Sequence, residues 1–270
     1  MPRLSIAHRL RPISSAQNPL VKDMRKAFTR SELIVDHCAI EGFKLIEEAI
    51  RSGLKVRTVI FSESGAKRAD RLLPQLKSQT ETAVIPDTVF AGMVETETPQ
   101  GVAALVSVRE HTLEFLLSKP DPFLIVTAGL QDPGNLGTLI RCAEAFGVHG
   151  LLLGEGTVSR FNAKAMRASA GSTFRVPSLN VRLMEVFPVL KTKGVRFLAT
   201  SSHKGEPINK ADLTGAVAII IGNEGAGVSR EVLSHMDALV TIPQSENVES
   251  LNAGVAAGII LYEAWQQRSR

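Results

Sequence analysis

Residues 123–147 read FLIVTAGLQDPGNLGTLIRCAEAFG. FLIVT is a short continuous apolar run of the kind buried on both faces of a parallel sheet. Behind it Leu136, Leu139, Ile140 and Ala143 recur at helical spacing, so NLGTLIRCAEAFG is expected to be an amphipathic helix. Pro133-Gly134 suits the central positions of a type II turn, and Asn135 can then cap a helix beginning at Leu136. Gly137 and Arg141 lie one turn apart on another face, and the missing side chain at Gly137 lets an anion approach Arg141. An ordinary capped helix with a surface arginine is the alternative. A strand, a tight turn and a helix in that order place the chain in the α/β class.

The unit repeats on both sides. GLLLG (150–154), VRFLATS (195–201), VAIIIG (217–222) and ALVTIP (238–243) read as further strands. FNAKAMRASAG (161–171) reads as a helix-like segment, and a last helix runs from about Ser250 to Gln267. Runs rich in Val, Ile and Leu that alternate with helices imply a largely parallel sheet covered on both faces.

Upstream, NPLVKDMRKAF (18–28) reads as a short basic helix. A strand is expected at Leu33–Val35, continued by Ile40. EGFKLIEEAIRSG, from Glu41, has amphipathic spacing and is closed by Gly53. VRTVIFS is a strand, RADRLLPQLKSQ a helix begun or kinked at Pro74, TAVIP a strand, DTVFAGMV a helix and PQGVAALVSV a final strand. The expected organisation is a smaller α/β domain at 1–108, a charged linker at 109–121 with a short helix at Leu113–Leu117, and a second domain at 122–270.

Composition bounds the function. The chain has 270 residues, is 44% hydrophobic and carries a net charge of +4. Cys38 and Cys142 are too few for a disulfide framework. The six histidines have no zinc-ligand spacing, so no metal site is expected. No apolar run approaches the ~20 residues needed to span a bilayer, and no secretory signal is present. A cytoplasmic protein without membrane contact is expected. The basic residues Arg3, Arg9, Arg11 and Lys22 near the start read as a phosphate-contacting arm, a solvated arm or a mitochondrial presequence. Lys22, Arg25 and Lys26 on the basic helix are candidate RNA contacts. In NAKAMRASAGSTFRVP, the groups Lys164, Arg167, Ser169 and Ser172 are candidate phosphate ligands.

Two further corners resemble the first in composition. IIIGNEGAGVS (219–229) has glycines spaced G-x-x-G-x-G, which does not fit a nicotinamide site but does present bare backbone to a ligand. IPQSENVESLNAGVAAG (242–258) offers Ser250 as N-cap of a helix beginning at Leu251. Gly254, Ala257 and Gly258 flatten one side of that helix, for packing within the chain or for a subunit interface.

The three corners, in this order, resemble the three signature motifs of the SpoU (TrmH) family of RNA ribose 2′-O-methyltransferases, of the SPOUT class. NPLVKDMRKAF, EGFKLIEEAI and TPQGVAALV resemble the substrate-binding domain that many members carry in front, which is similar to a small ribosomal-protein RNA-binding fold. The resemblance implies a parallel-sheet SPOUT domain with a deep trefoil knot, a homodimer, and S-adenosyl-L-methionine as cofactor. It implies cofactor contacts from Gly222, Ile242 and Leu251, with Thr200, Asn223 and Pro243 beside them. It implies catalytic positions at Asn135, Arg141, Glu224, Ser250 and Asn252, with Asn135 orienting Arg141. Arg141 acts either as base or as phosphate clamp; a guanidinium is a poor base, which argues for the clamp. Ribosomal RNA, most readily 23S, is favoured as substrate over transfer RNA. A non-catalytic RNA-binding protein on the same fold is the alternative.

Overall fold

The computed structural model describes residues 9–30, 36–245 and 247–269. The strand expected at Leu33–Val35, and Arg3 of the basic arm, lie outside the described residues. The chain divides into two compact units, Met1–Arg109 with Phe161–Phe174, and Glu110–Arg160 with Arg175–Arg270. The first boundary falls where the charged segment begins. The inclusion of 161–174 with the N-terminal residues was not anticipated.

The N-terminal unit runs β1 (Arg11–Pro12), α1 (Pro19–Arg30), β2 (His37–Glu41), α2 (Phe43–Arg51), β3 (Lys55–Ser62), α3 (Glu63–Ala66), β4 (Glu81–Ile85), α4 (Asp87–Ala91) and β5 (Val102–Ser107). The strands form one mixed sheet in the order β1-β4-β3-β5-β2. Strand alternation divides the side chains between two layers. Val59 and Phe61 pack with Phe43 and Ile46 of α2, while Ile60 and Ala39 pack with Val21 and Met24 of α1. The helix expected over RADRLLPQLKSQ is instead two 3-10 turns, Ala69–Arg71 and Leu73–Gln75. Pro74 has no N–H to continue a helical ladder.

The C-terminal series runs α5 (Leu113–Leu116), β6 (Phe123–Ala128), α6 (Pro133–Ala145), β7 (Gly150–Leu153), α7 (Ala163–Ser169), β8 (Ser178–Asn180), α8 (Leu183–Thr192), β9 (Arg196–Thr200), β10 (Glu206–Pro207), β11 (Val217–Gly222), α9 (Arg230–Leu233), β12 (Ala238–Thr241) and α10 (Ala253–Arg268). Of these, α7 groups with the N-terminal unit. The seven strands are ordered β10-β12-β9-β11-β6-β7-β8, and every ladder is parallel. The sequence reading assigned no element to 183–192. It forms α8 despite the internal Pro188.

Ile219 and Ile221 of β11 face α6 and α10, whereas Ala218 and Ile220 face α8. Leu136, Leu139, Ile140 and Ala143 are all buried, as their spacing required. Each large side chain there contributes about 1.5–3 kcal/mol relative to exposure. The flat side of α10 packs within the chain. A Cβ added at Gly254 would stand 3.1 Å from Thr138 Cβ, and one at Gly258 would stand 3.3 Å from Cys142 Sγ. Both partners lie on α6.

Because β12, β9, β11 and β6 are adjacent and parallel, their carboxyl ends line one edge. The three corners follow β6, β11 and β12, so the sheet gathers them there. The strand order also reverses at this place, with β7 and β8 laid outward on one side of β6 and the later strands on the other. Open α/β sheets bind ligands at such a switch point.

Candidate active site

At the first corner the N-cap of α6 is Asp132, not Asn135. The Asp132 carboxylate accepts the backbone N–H of Asn135 at 2.8 Å, and Pro133 occupies the first helical turn. Pro133-Gly134 therefore opens the helix, and Gly134 is not left-handed as a type II turn requires. Proline is suited to that place because its missing N–H would have had no helical partner. This arrangement frees the Asn135 side chain.

Asn135 is buried and uses both ends of its amide. Its Nδ2 donates to Glu224 Oε1 at 3.0 Å, and its Oδ1 accepts from Asn252 Nδ2 at 2.7 Å. Glu224 also accepts the backbone N–H groups of Asp132 (2.9 Å) and Gln131 (3.1 Å). One hydrogen-bonded chain thus joins all three corners. Arg141 lies further along α6, exposed, and among the described residues the Asn135 side chain bonds to Glu224 and Asn252 and not to Arg141. Burial by itself would raise the Glu224 carboxyl, but the donors from Asn135, Asp132 and Gln131 outweigh it and hold Glu224 below the usual glutamate range.

The second corner is a tight loop. Asn223 and Gly227 exchange both backbone hydrogen bonds, at 3.0 and 2.9 Å. Asn223 Oδ1 accepts the N–H groups of Gly225 and Ala226, and its Nδ2 donates to Gly129 O at 2.8 Å. A Cβ at Gly222 would fall 2.4 Å from the Gly227 carbonyl carbon. Only glycine permits that approach.

At the third corner Asn252, not Ser250, caps the last helix. Its Oδ1 accepts from Gly254 N (3.0 Å) and Val255 N (3.2 Å), so α10 starts at Ala253. The asparagine amide divides the two tasks, capping through Oδ1 and donating to Asn135 through Nδ2.

Between these loops lies a cleft of ≈320 Å³. Gly222, Asn223, Glu224, Ile242, Ser250, Leu251 and Thr200 line it. Pro243, Asn135, Arg141 and Asn252 lie outside the lining. Ile221, Val240 and Ile260 supply apolar wall, and Ser201, Ser202, Gln244 and Glu249 supply polar groups. These polar groups were missed. Ser201-Ser202 follow β9 in SSHKG, a strand running into a polar, glycine-ended turn, and that signal could have found them. The volume falls in the roughly 300–1,000 Å³ range of small-molecule sites. Apolar walls beside bare backbone and a carboxylate suit an adenosyl amino acid. Among the described residues no group of three His, Cys, Asp or Glu could hold a metal ion.

The candidate RNA contacts fall in the N-terminal unit, but not on one face. Lys22 and Lys26 are exposed on α1, and Arg25 is half-buried with its Nε unpaired. Lys164 and Arg167 are exposed on α7, whose Met166 packs in the α2 layer on the other side of the sheet. Ser169 and Ser172 are buried, and the Ser169 hydroxyl donates to Met166 O at 2.9 Å. Neither serine is presented to a phosphate; Ser169 turns inward from α7, and Ser172 is buried in the 3-10 turn that follows it.

A model described as the SpoU rRNA Methylase family matches residues 122–262, and one described as an MRM3-like substrate binding domain matches residues 18–104. The chain is 35% identical over 254 residues to the 23S rRNA (guanosine(2553)-2′-O)-methyltransferase RlmP of Bacillus subtilis, covering 94% of this chain and 98% of that protein. It is 34% identical over 176 residues to the 23S rRNA (guanosine-2′-O-)-methyltransferase RlmB of Escherichia coli K12, covering 63% and 72%. The structure is similar to that of AviRb, a SpoU methyltransferase from Streptomyces viridochromogenes solved with AdoMet. The TM-score is 0.81 at 28% identity, over 93% of this chain and 98% of that one. An AdoMet-bound rRNA methyltransferase from Sinorhizobium meliloti gives a TM-score of 0.81 at 26% identity, over 96% and 98%.

Proposed function

Because the chain belongs to the SpoU rRNA methylase family, we propose that it methylates a ribose 2′-hydroxyl of 23S ribosomal RNA with S-adenosyl-L-methionine. The observation that carries this reading is the Glu224–Asn135–Asn252 chain, which locks the three motif corners around one cleft. Gly222, Asn223, Thr200, Ile242 and Leu251 would hold the cofactor, with Pro243 shaping the loop; bound there, the cofactor supplies an electrophilic methyl group.

The protein's own residues do the positioning. Glu224, Asn135 and Asn252 fix the loops, and Ser250 stands in the cleft wall. Arg141 is exposed on α6 and is available to RNA. Its planar fork suits the phosphate beside the target ribose, where it also stabilises the alkoxide developing at O2′. A guanidinium is a poor base, so the proton leaves to that phosphate or to water. Positioning of this kind supplies a large share of a methyl-transfer rate.

RNA contacts are assigned to the N-terminal unit, through Lys22, Arg25 and Lys26 on α1 and Lys164 and Arg167 on α7. A homodimer is part of the proposal. Its support is an apolar stripe on the outer face of α10, where Val255, Ile259, Tyr262 and Trp265 are 40–51% exposed. The deep knot and the division at 108 and 122 belong to the same reading, as does a cytoplasmic location. Among the described residues no helix is long and apolar enough to cross a membrane.

The test is methyl transfer from radiolabelled S-adenosylmethionine to 23S rRNA and to transfer RNA, both isolated from a strain lacking the gene. Label at a single 2′-O position of 23S rRNA is expected. Label in transfer RNA alone would overturn the substrate, and no label in either would overturn the activity.

A further inference from the structure

The N-terminal unit holds a second cavity, of ≈150 Å³, beside the start of α2. Its walls are mainly apolar, built from the Gly42 backbone, Leu45 and Ala170. It has room for one planar ring system and none for a duplex. Gly42 is left-handed, with φ +99°, and the Gln100 side-chain amide stands over it, 3.1 Å from where a Cβ would sit. That amide makes no hydrogen bond among the described residues, although it stands at the rim of the pocket.

The charges around the rim are unequal. Lys44 is exposed and makes no ion pair among the described residues. Arg167 donates to the neutral Thr96 hydroxyl at 3.2 Å, so its charge is not cancelled. Arg68 donates to Gln100 O at 2.7 Å and lies 4.5 Å above the Phe43 ring. Two acids face the same cavity. Glu48 is paired with Arg51 at 2.8 Å, and Glu41 accepts the Gln100 N–H at 2.8 Å. Glu48 is offset by Arg51 while Glu41 keeps its charge, so with Lys44 and Arg167 the rim carries one more positive charge than negative around an apolar floor.

We propose that this pocket receives one unstacked base of the substrate RNA. The apolar floor takes the base face, the Gln100 amide reads its edge, and Lys44 and Arg167 hold the flanking phosphates. Single-stranded RNA is recognised in this way, with splayed bases buried and their edges hydrogen-bonded. The inference rests on the RNA-modifying reading above, and it assigns Lys44 and Gln100 to recognition alongside Arg167.

The test uses the full chain and an in vitro 23S rRNA transcript. Lys44→Ala and Arg167→Ala should each weaken binding several-fold and reduce the salt-dependence slope by about one. Gln100→Ala should weaken binding with the slope unchanged. A photo-crosslinking residue placed at 100 should attach to a single unpaired nucleotide. All three side chains are exposed, so the variants should fold, and their circular dichroism and S-adenosylmethionine affinity should match the parent chain. Parental RNA affinity in all three variants, or crosslinks spread over paired nucleotides, would overturn the pocket while methylation by the parent chain stands. Absence of methyl transfer by the parent chain is a separate result that removes the underlying activity.

Discussion

Asn252 donates its side-chain N–H to Oδ1 of Asn135 at 2.7 Å, across 117 residues of sequence. Asn135 is the middle link of a chain that ends on Glu224, and through Glu224 on the backbone before α6. Neither asparagine can be replaced without leaving a polar group unpaired, and one of the two is buried.

Asn135→Ala should therefore cost more than its size suggests. A buried partner left unpaired costs about 1–3 kcal/mol. In a double-mutant cycle with Asn252→Ala, the losses should overlap by roughly 0.5–3 kcal/mol. Denaturant unfolding of the four proteins measures this, and strictly additive losses would show that the link carries no energy.

Glu224 sets an acid limit on the site. Its folded pKa lies below the unfolded value, so its contribution is complete above the ordinary glutamate pKa of about 4.3. That contribution is lost as pH falls through the lower folded value. Thermal stability should hold from pH 7 to about 5 and then fall, with Glu224→Gln showing a shallower fall. An identical acid limb in the variant would place the sensitivity elsewhere.

Gly222→Ala should abolish cofactor binding with little effect on the rest of the sheet, because the added carbon meets backbone at 2.4 Å. Gly258→Ala should be nearly neutral. Its contact is a side-chain sulfur at 3.3 Å, and alanine gains about 1 kcal/mol of helix propensity over glycine. Calorimetry with S-adenosylmethionine and urea unfolding separate the two effects.

Arg141→Lys keeps the charge and removes the planar fork. A loss in kcat of roughly 10²-fold or more is expected if the fork clamps phosphate and alkoxide together. Near-parental kcat in single-turnover assays would end that role.

Tyr262→Asp with Trp265→Asp should convert a dimer to a monomer in light scattering, since both place charge on the exposed stripe of α10. Unchanged mass would move the subunit interface to another surface.

Much of this was legible locally. FLIVT, VAIIIG and the period of Leu136, Leu139, Ile140 and Ala143 announce buried strands and a packed helix, because alternation and helical spacing follow from burial. The cleft-lining positions Gly222, Ile242 and Leu251 were legible as parts of a motif resemblance. The helix caps were not. Asp132, Asn135, Ser250 and Asn252 are all chemically able to cap, and residues two or three apart compete for the same orphan N–H groups. α8 was hidden by Pro188, and the segment 161–174 gave no sign that it groups with the N-terminal unit.

The sequence by itself determined most of the strands and helices, and where bare backbone follows a strand, since those depend on neighbours a few residues away. Tertiary structure decided that β6, β11 and β12 end along one edge, that Asp132 and Asn252 cap while Asn135 bridges, and that the flat side of α10 faces α6. The bridge and the α10–α6 packing depend on hydrogen bonds and contacts between residues about a hundred positions apart, and they settle which of the neighbouring candidates is left to cap. Their partners are chosen by strand order, and strand order is a property of the folded sheet that no local pattern encodes.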